Sequence, residues 1–150
     1  MNSNKIVPSL WLSADGGSLS KVIDYYKTIF GDNFSHEKIT TIGNTPGGKT
    51  EICEVTIFEQ KYVLMSTAKE HHPLNDAVSF RINCKDQKEI DTYWNYFTAE
   101  GKESQCGWCI DKYGIRWQVL PGNMHELLSK PNAFNVMMQQ QKIVIEDYLK

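Results

Sequence analysis

The sequence lacks the features that define several large classes of protein. Its longest apolar runs, such as residues 62–65, are far shorter than the roughly 20 apolar residues needed to cross a bilayer. Lys and Arg number 16 against 18 Asp and Glu, so a formal net charge of −2 offers no basic surface to nucleic acid. Residues 1–5 lack the apolar stretch of a secretory signal. We therefore expect a cytoplasmic protein that binds neither nucleic acid nor membranes.

The signatures of common enzyme classes are missing as well. The chain has no H-E-x-x-H, no G-x-S-x-G and no G-x-G-x-x-G after a predicted strand. Residues 43–50 match the P-loop pattern G-x-x-x-x-G-K-T, but the β-branched residues that follow predict a strand, not the helix that holds phosphate. A Gly/Pro hairpin loop is the better interpretation. These observations predict no resident cofactor.

Four cysteines are present, and in a reducing compartment free thiols are the default. Cys106 and Cys109 form a C-x-x-C in a stretch that is predicted to be a strand, ahead of a turn. A structural role is favoured because a redox pair is expected at the start of a helix. A redox role, or a zinc site that adds Cys84 and the His71–His72 pair, remains an alternative.

An internal repeat organises the chain. Residues 7–13 and 77–83 both read as strands, with an offset of 77 − 7 = 70. Each is followed by an amphipathic pattern typical of a helix, the first over residues 19–30 before Gly31 and the second from Asp86 to a stop before Gly101. Asp86 and Glu89 have the spacing of a capping box.

Strand-like runs follow each helix. In the first half they cover residues 34–42, 51–58 and 61–66, with Glu59 and Gln60 as a tight turn. In the second half residues 104–109 and 115–121 flank a turn at 111–114, and residues 122–150 read as short helices. The predicted fold is α+β with two βαβββ modules and a helical extension. The expected divisions are module 1 at about 5–67, a linker at 68–76, module 2 at about 77–121 and the extension at 122–150, all in one domain of 1–150.

This pattern resembles the vicinal oxygen chelate superfamily, which includes glyoxalase I, bleomycin-resistance proteins and extradiol dioxygenases. Residues 25–31 are similar to its aromatic-pair helix that ends in glycine, and residues 104–108 with 111–121 are similar to the PhnB-like branch, often named 3-demethylubiquinone-9 3-methyltransferase. Residues 6–11 and 80–87 also look like that branch. The resemblance implies curved sheets that together form a cup, and a homodimer.

The resemblance also implies where a metal would be held in metal-dependent members. The corresponding positions here are Val7, Leu64, Ala77 and Gln118, and of these only the Gln118 amide could coordinate an ion. We therefore expect no metal site.

Alternation along the strands predicts the residues that face the cup. If Val78, Phe80 and Ile82 cover the helix, Ser79 and Arg81 face the other way, as Trp11 does on the first strand. The predicted ligand-binding set is completed by Trp108 and Gln118. For Trp11, Trp108 and Trp117 core packing is the default interpretation and lining a ligand cavity is the alternative, for which Trp11 is the best candidate.

One cation, one amide, a hydroxyl and indole rings suit a small, partly apolar organic ligand that can carry negative charge. We therefore expect a metal-independent small-molecule-binding protein. The alternative is an enzyme that acts on a small organic substrate in the same cup, either a lyase or a member that carries the methyltransferase name. The apolar residues Phe134, Met137 and Met138 favour either a homodimer or packing within the chain.

Overall fold

Each half of the chain folds one helix onto a mixed β-sheet. The structure is a computed structural model that describes residues 4–69 and 72–150, and it divides into two units, Met1–Leu74 and Asn75–Lys150. The order strand, helix, strands occurs in both units, which confirms the predicted α+β class with two mixed sheets.

The first unit carries a five-stranded sheet and helix α1. Strand β1 pairs in parallel with β5, β5 pairs antiparallel with β4, and both β2 and β3 pair antiparallel with β4. Helix α1 buries its apolar face, including Val22, Tyr26 and Phe30. The bounds are β1 Ser9–Leu12, α1 Ser20–Phe30, β2 Phe34–His36, β3 Thr40–Thr45, β4 Gly48–Ile57 and β5 Gln60–Thr67.

The second unit repeats the plan with four strands and helix α2. Strand β6 pairs in parallel with β9, β9 antiparallel with β8, and β8 antiparallel with β7. Helix α2 packs on β7, β8 and β9 and buries Ile90, Trp94 and Phe97. The bounds are β6 Phe80–Cys84, α2 Gln87–Ala99, β7 Lys102–Glu103, β8 Trp108–Ile110 and β9 Arg116–Pro121.

The helix ends follow the predicted capping signals. Helix α1 stops at Gly31, whose φ of 56° is a left-handed conformation that suits glycine. At the start of α2 the Glu89 N–H donates to Asp86 Oδ1 at 2.9 Å. The Glu89 carboxylate accepts from the Lys85 N–H at 3.4 Å instead of the Asp86 N–H, so the box is only half formed.

Several strand boundaries differ from the sequence prediction. The single strand predicted over 34–42 is two strands, because three residues between His36 and Thr40 lie opposite two between Ile52 and Val55. Such an irregularity interrupts the ladder, as a β-bulge does. The predicted turn at Glu59 and Gln60 lies one residue earlier, at Phe58 and Glu59. Their φ values of 48° and 70° fit a two-residue hairpin turn, closed by the pairing of Ile57 with Gln60.

The strand predicted over 104–109 is likewise wrong in part. Cys106 and Gly107 have φ values of 59° and 83° and form a turn, so β8 begins only at Trp108. The strand predicted over 77–83 begins at Phe80. Val78 lies outside it and is 63% exposed, so the prediction that Val78 covers the helix is wrong. The P-loop-like stretch is a hairpin in which Thr45 pairs with Gly48, as predicted.

The C-terminal extension packs inside the second unit. Its helices are α3 Met124–Leu128 and α4 Ala133–Gln139, followed by a short 3₁₀ turn at Ile145–Tyr148. They form one apolar cluster with Leu120 of β9, against which Met137 packs. Phe134 and Met138 point away from this cluster and are 63% and 54% exposed. Nowhere in residues 4–69 and 72–150 is there a helix long and apolar enough to cross a membrane.

Candidate functional site

The second sheet has one face covered by α2 and one face opposite it. Trp117 of β9 stacks on Phe97 of α2, with ring centroids 4.7 Å apart and an interplanar angle of 3°, so Trp117 lies on the helix side. Phe80 is paired with Trp117 and contacts its ring, which confirms that Phe80 faces the helix. Because side chains alternate along a strand, Arg116 and Gln118 lie on the opposite face. We call this opposite surface the Arg81 face.

Three predicted ligand-binding residues form a row across the Arg81 face. Arg81 of β6 is in register with Gln118 of β9, and Gln118 is in register with Trp108 of β8. Neighbouring strands lie about 4.8 Å apart, so residues in register are side by side on the same face. The structure therefore brings Arg81, Gln118 and Trp108 together, although they are far apart in the sequence.

The fourth predicted residue joins this row by a hydrogen bond. Gln118 Nε2 donates to Ser79 Oγ at 2.9 Å, so the amide side chain is oriented and its Oε1 remains an acceptor. Arg81 Nε donates to Asn83 Oδ1 at 2.8 Å. For the two Arg81 Nη groups and for Gln118 Oε1, the described part of the chain supplies no hydrogen-bond partner.

The four tryptophans differ in how their indole N–H groups are used. Trp11 donates to Thr67 Oγ1 at 3.1 Å, Trp94 to Glu103 Oε1 at 3.0 Å and Trp117 to Asp111 Oδ2 at 2.9 Å. Trp108 is half-buried, yet within residues 4–69 and 72–150 its indole N–H meets no acceptor, and it is accessible to solvent. Of the predicted alternatives, Trp117 is a core residue, whereas Trp108 presents a spare donor.

The remaining predicted residue, Trp11, belongs to the other unit. It is in register with Met65, which is in register with Ile52. This row lies on the face of the first sheet opposite α1, because the neighbouring row of Leu10, Leu64 and Cys53 is the helix side. Trp11 thus faces away from the helix as predicted.

Two positions inferred for metal ligands are wrong in detail. Leu64 is 2% exposed and lies on the helix side, so its side chain does not share the face of Trp11. A one-residue shift places a side chain on the other face of a sheet. Ala77 lies outside β6, and Ser79 is the residue that contacts Gln118.

The donor set on these faces does not fit a divalent ion. Ser79 and Gln118 are neutral, and their side chains bond to each other. Val63 and Met65, the β5 residues beside Leu64, provide no carboxylate or imidazole. In the portions of the chain that the structure describes, no group of three His, Cys, Asp or Glu residues could hold a metal. His71 of the alternative zinc site lies outside those portions.

The cysteines show the environment of structural thiols. All four are free, and Cys53, Cys84 and Cys109 are buried. Burial, with the charge of nearby Asp111, raises the pKa of Cys109 to about 12, so this thiol stays protonated at neutral pH. Cys109 lies on a strand and Cys106 in a turn, far from the helix start that lowers the thiol pKa in a redox pair.

Sequence reasoning missed three residues that shape this region. Asp111 is 3% exposed; its Oδ1 accepts the N–H groups of Tyr113 and Ile115, and its Oδ2 accepts the Trp117 indole. Arg116 shares the Arg81 face and its Nε lies 2.9 Å from Asp76 Oδ1. The third, Asn83, holds Arg81. The signal for Arg116 was available, since it precedes Gln118 by two residues on one strand.

Comparisons with known proteins bear on the family and the fold of the chain. The family model described as 3-demethylubiquinone-9 3-methyltransferase matches residues 4–120. None of the curated proteins compared with this chain matches it.

Solved structures with the same fold come from several bacteria. A putative 3-demethylubiquinone-9 3-methyltransferase, the PhnB protein from Bacillus cereus, has a TM-score of 0.64 and 22% identity over 77% of this chain and 98% of its own. Protein PA1353 from Pseudomonas aeruginosa has a TM-score of 0.59 and 17% identity over 79% and 98%. The fosfomycin resistance protein FosX from Listeria monocytogenes, complexed with Mn(II) and sulfate, has a TM-score of 0.53 and 17% identity over 85% and 99%.

At these identities the solved structures show the fold alone, whereas the family match spans most of the chain, including both sheets. The chain belongs to the family described as 3-demethylubiquinone-9 3-methyltransferase, in the vicinal oxygen chelate superfamily.

Proposed function

We propose that this chain is a metal-independent binding protein for a small organic molecule, which binds on the Arg81 face. The observation that carries the proposal is the hydrogen bond of 2.9 Å between Ser79 and Gln118 beside Arg81 and Trp108. At Gln118, one of the positions where the superfamily resemblance implies a metal ligand, the neutral amide is instead oriented by the Ser79 hydroxyl. These two side chains can hold a ligand directly, through a hydroxyl donor and an amide acceptor.

The composition of the face supports direct binding. Small-molecule sites are mostly apolar and have a few convergent polar groups. Here the half-buried Trp108 and Ile110 supply apolar surface, and Ser79, Arg81 and Gln118 supply the polar groups.

A fragment screen by ligand-observed NMR tests the proposal. With the wild-type chain, the hits and their dissociation constants are expected to be the same within twofold in EDTA and in added Mn²⁺. Gln118→Ala is expected to weaken the hits that contact Trp108 at least fivefold, because the oriented amide is lost. Gln139→Ala is the matched control, since Gln139 is an exposed amide on α4. Hits that need Mn²⁺, or that are lost equally in both variants, would contradict the proposal.

An enzyme acting on a small organic substrate is the second candidate function, because the family description names a methyltransferase. In that case a small molecule bound on the Arg81 face would be converted, and the same Gln118→Ala variant would lower turnover along with binding. Incubating each fragment hit with the protein and a methyl donor, then analysing products by mass spectrometry, separates binding from conversion. Binding without product supports the first candidate.

Assembly as a homodimer and a cytoplasmic location stay predictions. Phe134 and Met138 lie four residues apart on α4 and are largely exposed, which favours α4 as the contact. Sedimentation of the wild type against Phe134→Glu is the direct test, with Asn135→Glu as the control on the same helix. A dimer that both variants leave intact would place the contact elsewhere.

A further inference from the structure

We infer that the ligand of the Arg81 face is an organic carboxylate with an apolar body, held end-on by Arg81 and by the indole N–H of Trp108. This inference rests on the proposed function and adds the chemical class of the ligand. It is carried by the distribution of charge and of unused donors on this face.

The Arg81 face is cationic. The chain has only two arginines, Arg81 and Arg116, and both lie on this face. Lys102 of β7 shares it, because it is in register with Ile110, which is in register with Arg116. The strand residues of this face include no carboxylate; Glu103, the acidic residue of β7, pairs with Cys109 on the helix side. A face with this charge attracts anions.

The two arginines are not equally available. Arg116 is held by the Asp76 carboxylate at 2.9 Å, and its Nη1 donates to the Gly114 carbonyl at 2.8 Å. Arg81 is held only through Nε, by the neutral amide of Asn83. This contact fixes the guanidinium and leaves its charge without a carboxylate in the parts of the chain that are described. The two Nη groups form a planar fork that matches the two oxygens of a carboxylate.

The spare hydrogen-bonding groups are mostly donors. Besides the Arg81 fork, the Trp108 indole has a free N–H, and the Ser79 hydroxyl accepts from Gln118 and so keeps its hydrogen to donate. The spare acceptor of the row is Gln118 Oε1. A ligand rich in acceptor oxygens therefore satisfies this face better than one rich in donors.

The surroundings of the row call for an apolar body. Trp108 offers one ring face or edge, and the half-buried Ile110 extends the apolar surface along β8. Leu120 is 6% exposed because the extension covers it, so the available surface ends there. The accessible region spans about three strands, or roughly 10 Å, which limits the ligand to a small molecule.

The test follows the four tryptophan indole signals in a ¹H–¹⁵N spectrum during titration at fixed ionic strength. Trp108→Phe identifies its own signal by loss. The probes are benzoate, 3-phenylpropanoate and hexanoate, each compared with its primary amide, which has the same body and no charge. For at least one pair we expect a saturable shift of the Trp108 signal and at least tenfold weaker binding of the amide.

Two variants and a control with inorganic phosphate complete the experiment. Arg81→Gln is expected to weaken the carboxylate at least tenfold while leaving the amide within twofold, and Lys88→Gln on the exposed side of α2 is the charge-matched control. Equal binding of acid and amide, or an unaffected Arg81→Gln variant, would overturn the carboxylate inference and leave the proposed surface standing. Inorganic phosphate that reproduces the shift would reduce the effect to general anion attraction and also overturn it. No response of Trp108 to any probe would contradict the proposed function itself.

Discussion

The faces opposite the helices of the two sheets are built from the same repeat but differ in chemistry. On the first sheet Trp11 bonds to Thr67, and Glu54 pairs with its in-face neighbour Lys61 at 3.2 Å. On the second sheet the Trp108 indole and the fork of Arg81 have no such partner in the described chain. The comparison teaches that one copy of the repeat satisfies its polar groups internally, whereas the other keeps donors available for a ligand.

The two hairpins differ in how they are held. The hairpin of β4 and β5 turns through two left-handed residues, Phe58 and Glu59, and is bridged by the exposed side chain of Asn4, which donates to the Glu59 carbonyl at 3.2 Å and accepts the Lys61 N–H at 3.1 Å. The hairpin of β8 and β9 turns around the Asp111 carboxylate, which also binds the Trp117 indole. One carboxylate thus fixes both the turn and the helix-side ring of the strand that carries Gln118.

Breaking the second hairpin is expected to have the largest effect. Asp111→Ala leaves the Tyr113 and Ile115 N–H groups and the Trp117 indole without their acceptor, and we expect it to lower the free energy of unfolding by about 2–4 kcal/mol. Glu59→Ala in the first hairpin is the comparison, with an expected change below about 0.5 kcal/mol at this exposed turn. Urea unfolding measures both, and equal losses would mean that the two hairpins are held alike.

Releasing the extension comes next. The Gln87 side chain donates to the Ile143 carbonyl at 2.9 Å and accepts the Ile145 N–H at 2.8 Å, which fastens the extension to α2. Gln87→Ala is expected to cost about 1–2 kcal/mol, because two part-buried backbone groups lose their partner. Hydrogen exchange should accelerate over residues 140–148 and stay unchanged in the first unit. Faster exchange throughout the chain would show that the hydrogen bonds of Gln87 stabilise more than the extension.

The thiols give a pH-dependent comparison. Burial raises the pKa of Cys84 and of Cys109 to about 12, above the ordinary thiol value, so the folded state keeps protons that the unfolded state loses. The contribution of these two thiols to the free energy of unfolding is therefore expected to be fully present below about pH 8.5. It is expected to be lost as the pH rises from there toward 12. At pH 8 iodoacetamide should modify only the half-exposed Cys106 of the native chain, but all four thiols in urea. Mass spectrometry after brief labelling reads this out, and rapid native modification of Cys109 would contradict its burial.

The smallest expected effect compares two tryptophans. Trp11→Phe removes the bond to Thr67 and is expected to cost about 1 kcal/mol, whereas Trp108→Phe removes an indole N–H with no protein acceptor and should cost less than about 0.5 kcal/mol. Both rings are half-buried, so the two substitutions are well matched. Urea unfolding separates them, and a larger loss for Trp108→Phe would reveal a protein partner for its N–H.

Much of this arrangement could be predicted from the sequence, because side chains alternate along strands. Alternation alone placed Arg81 opposite Phe80 and Trp11 opposite Leu10, and the structure agrees. Alternation fails where the strand itself is misjudged, since Val78 lies before β6 and is 63% exposed. It also fails where the residue count along a strand is uncertain, as for Leu64, which lies on the helix side.

The grouping of the site could not be read from the sequence, because register between distant strands depends on tertiary packing. The alignment of Arg81 with Gln118 and of Gln118 with Trp108 joins segments that are 37 and 10 residues apart. Whether an indole N–H is used inside the protein or is available to a ligand also depends on its neighbours. The Trp117 N–H donates to Asp111, whereas the Trp108 N–H has no acceptor in the described part of the chain. The Asp111 turn itself was a local signal, since its carboxylate reaches amides only two and four residues on.

The most direct test of the central claim removes one positive charge from each of the two faces in turn and compares the effect on binding. Titration calorimetry with 3-phenylpropanoate would compare Arg81→Gln on the second sheet with Lys61→Gln on the first. The account predicts at least a tenfold loss of affinity for Arg81→Gln and a change within twofold for Lys61→Gln. The reverse order, or equal losses, would contradict the claim that ligand binding is concentrated on the Arg81 face.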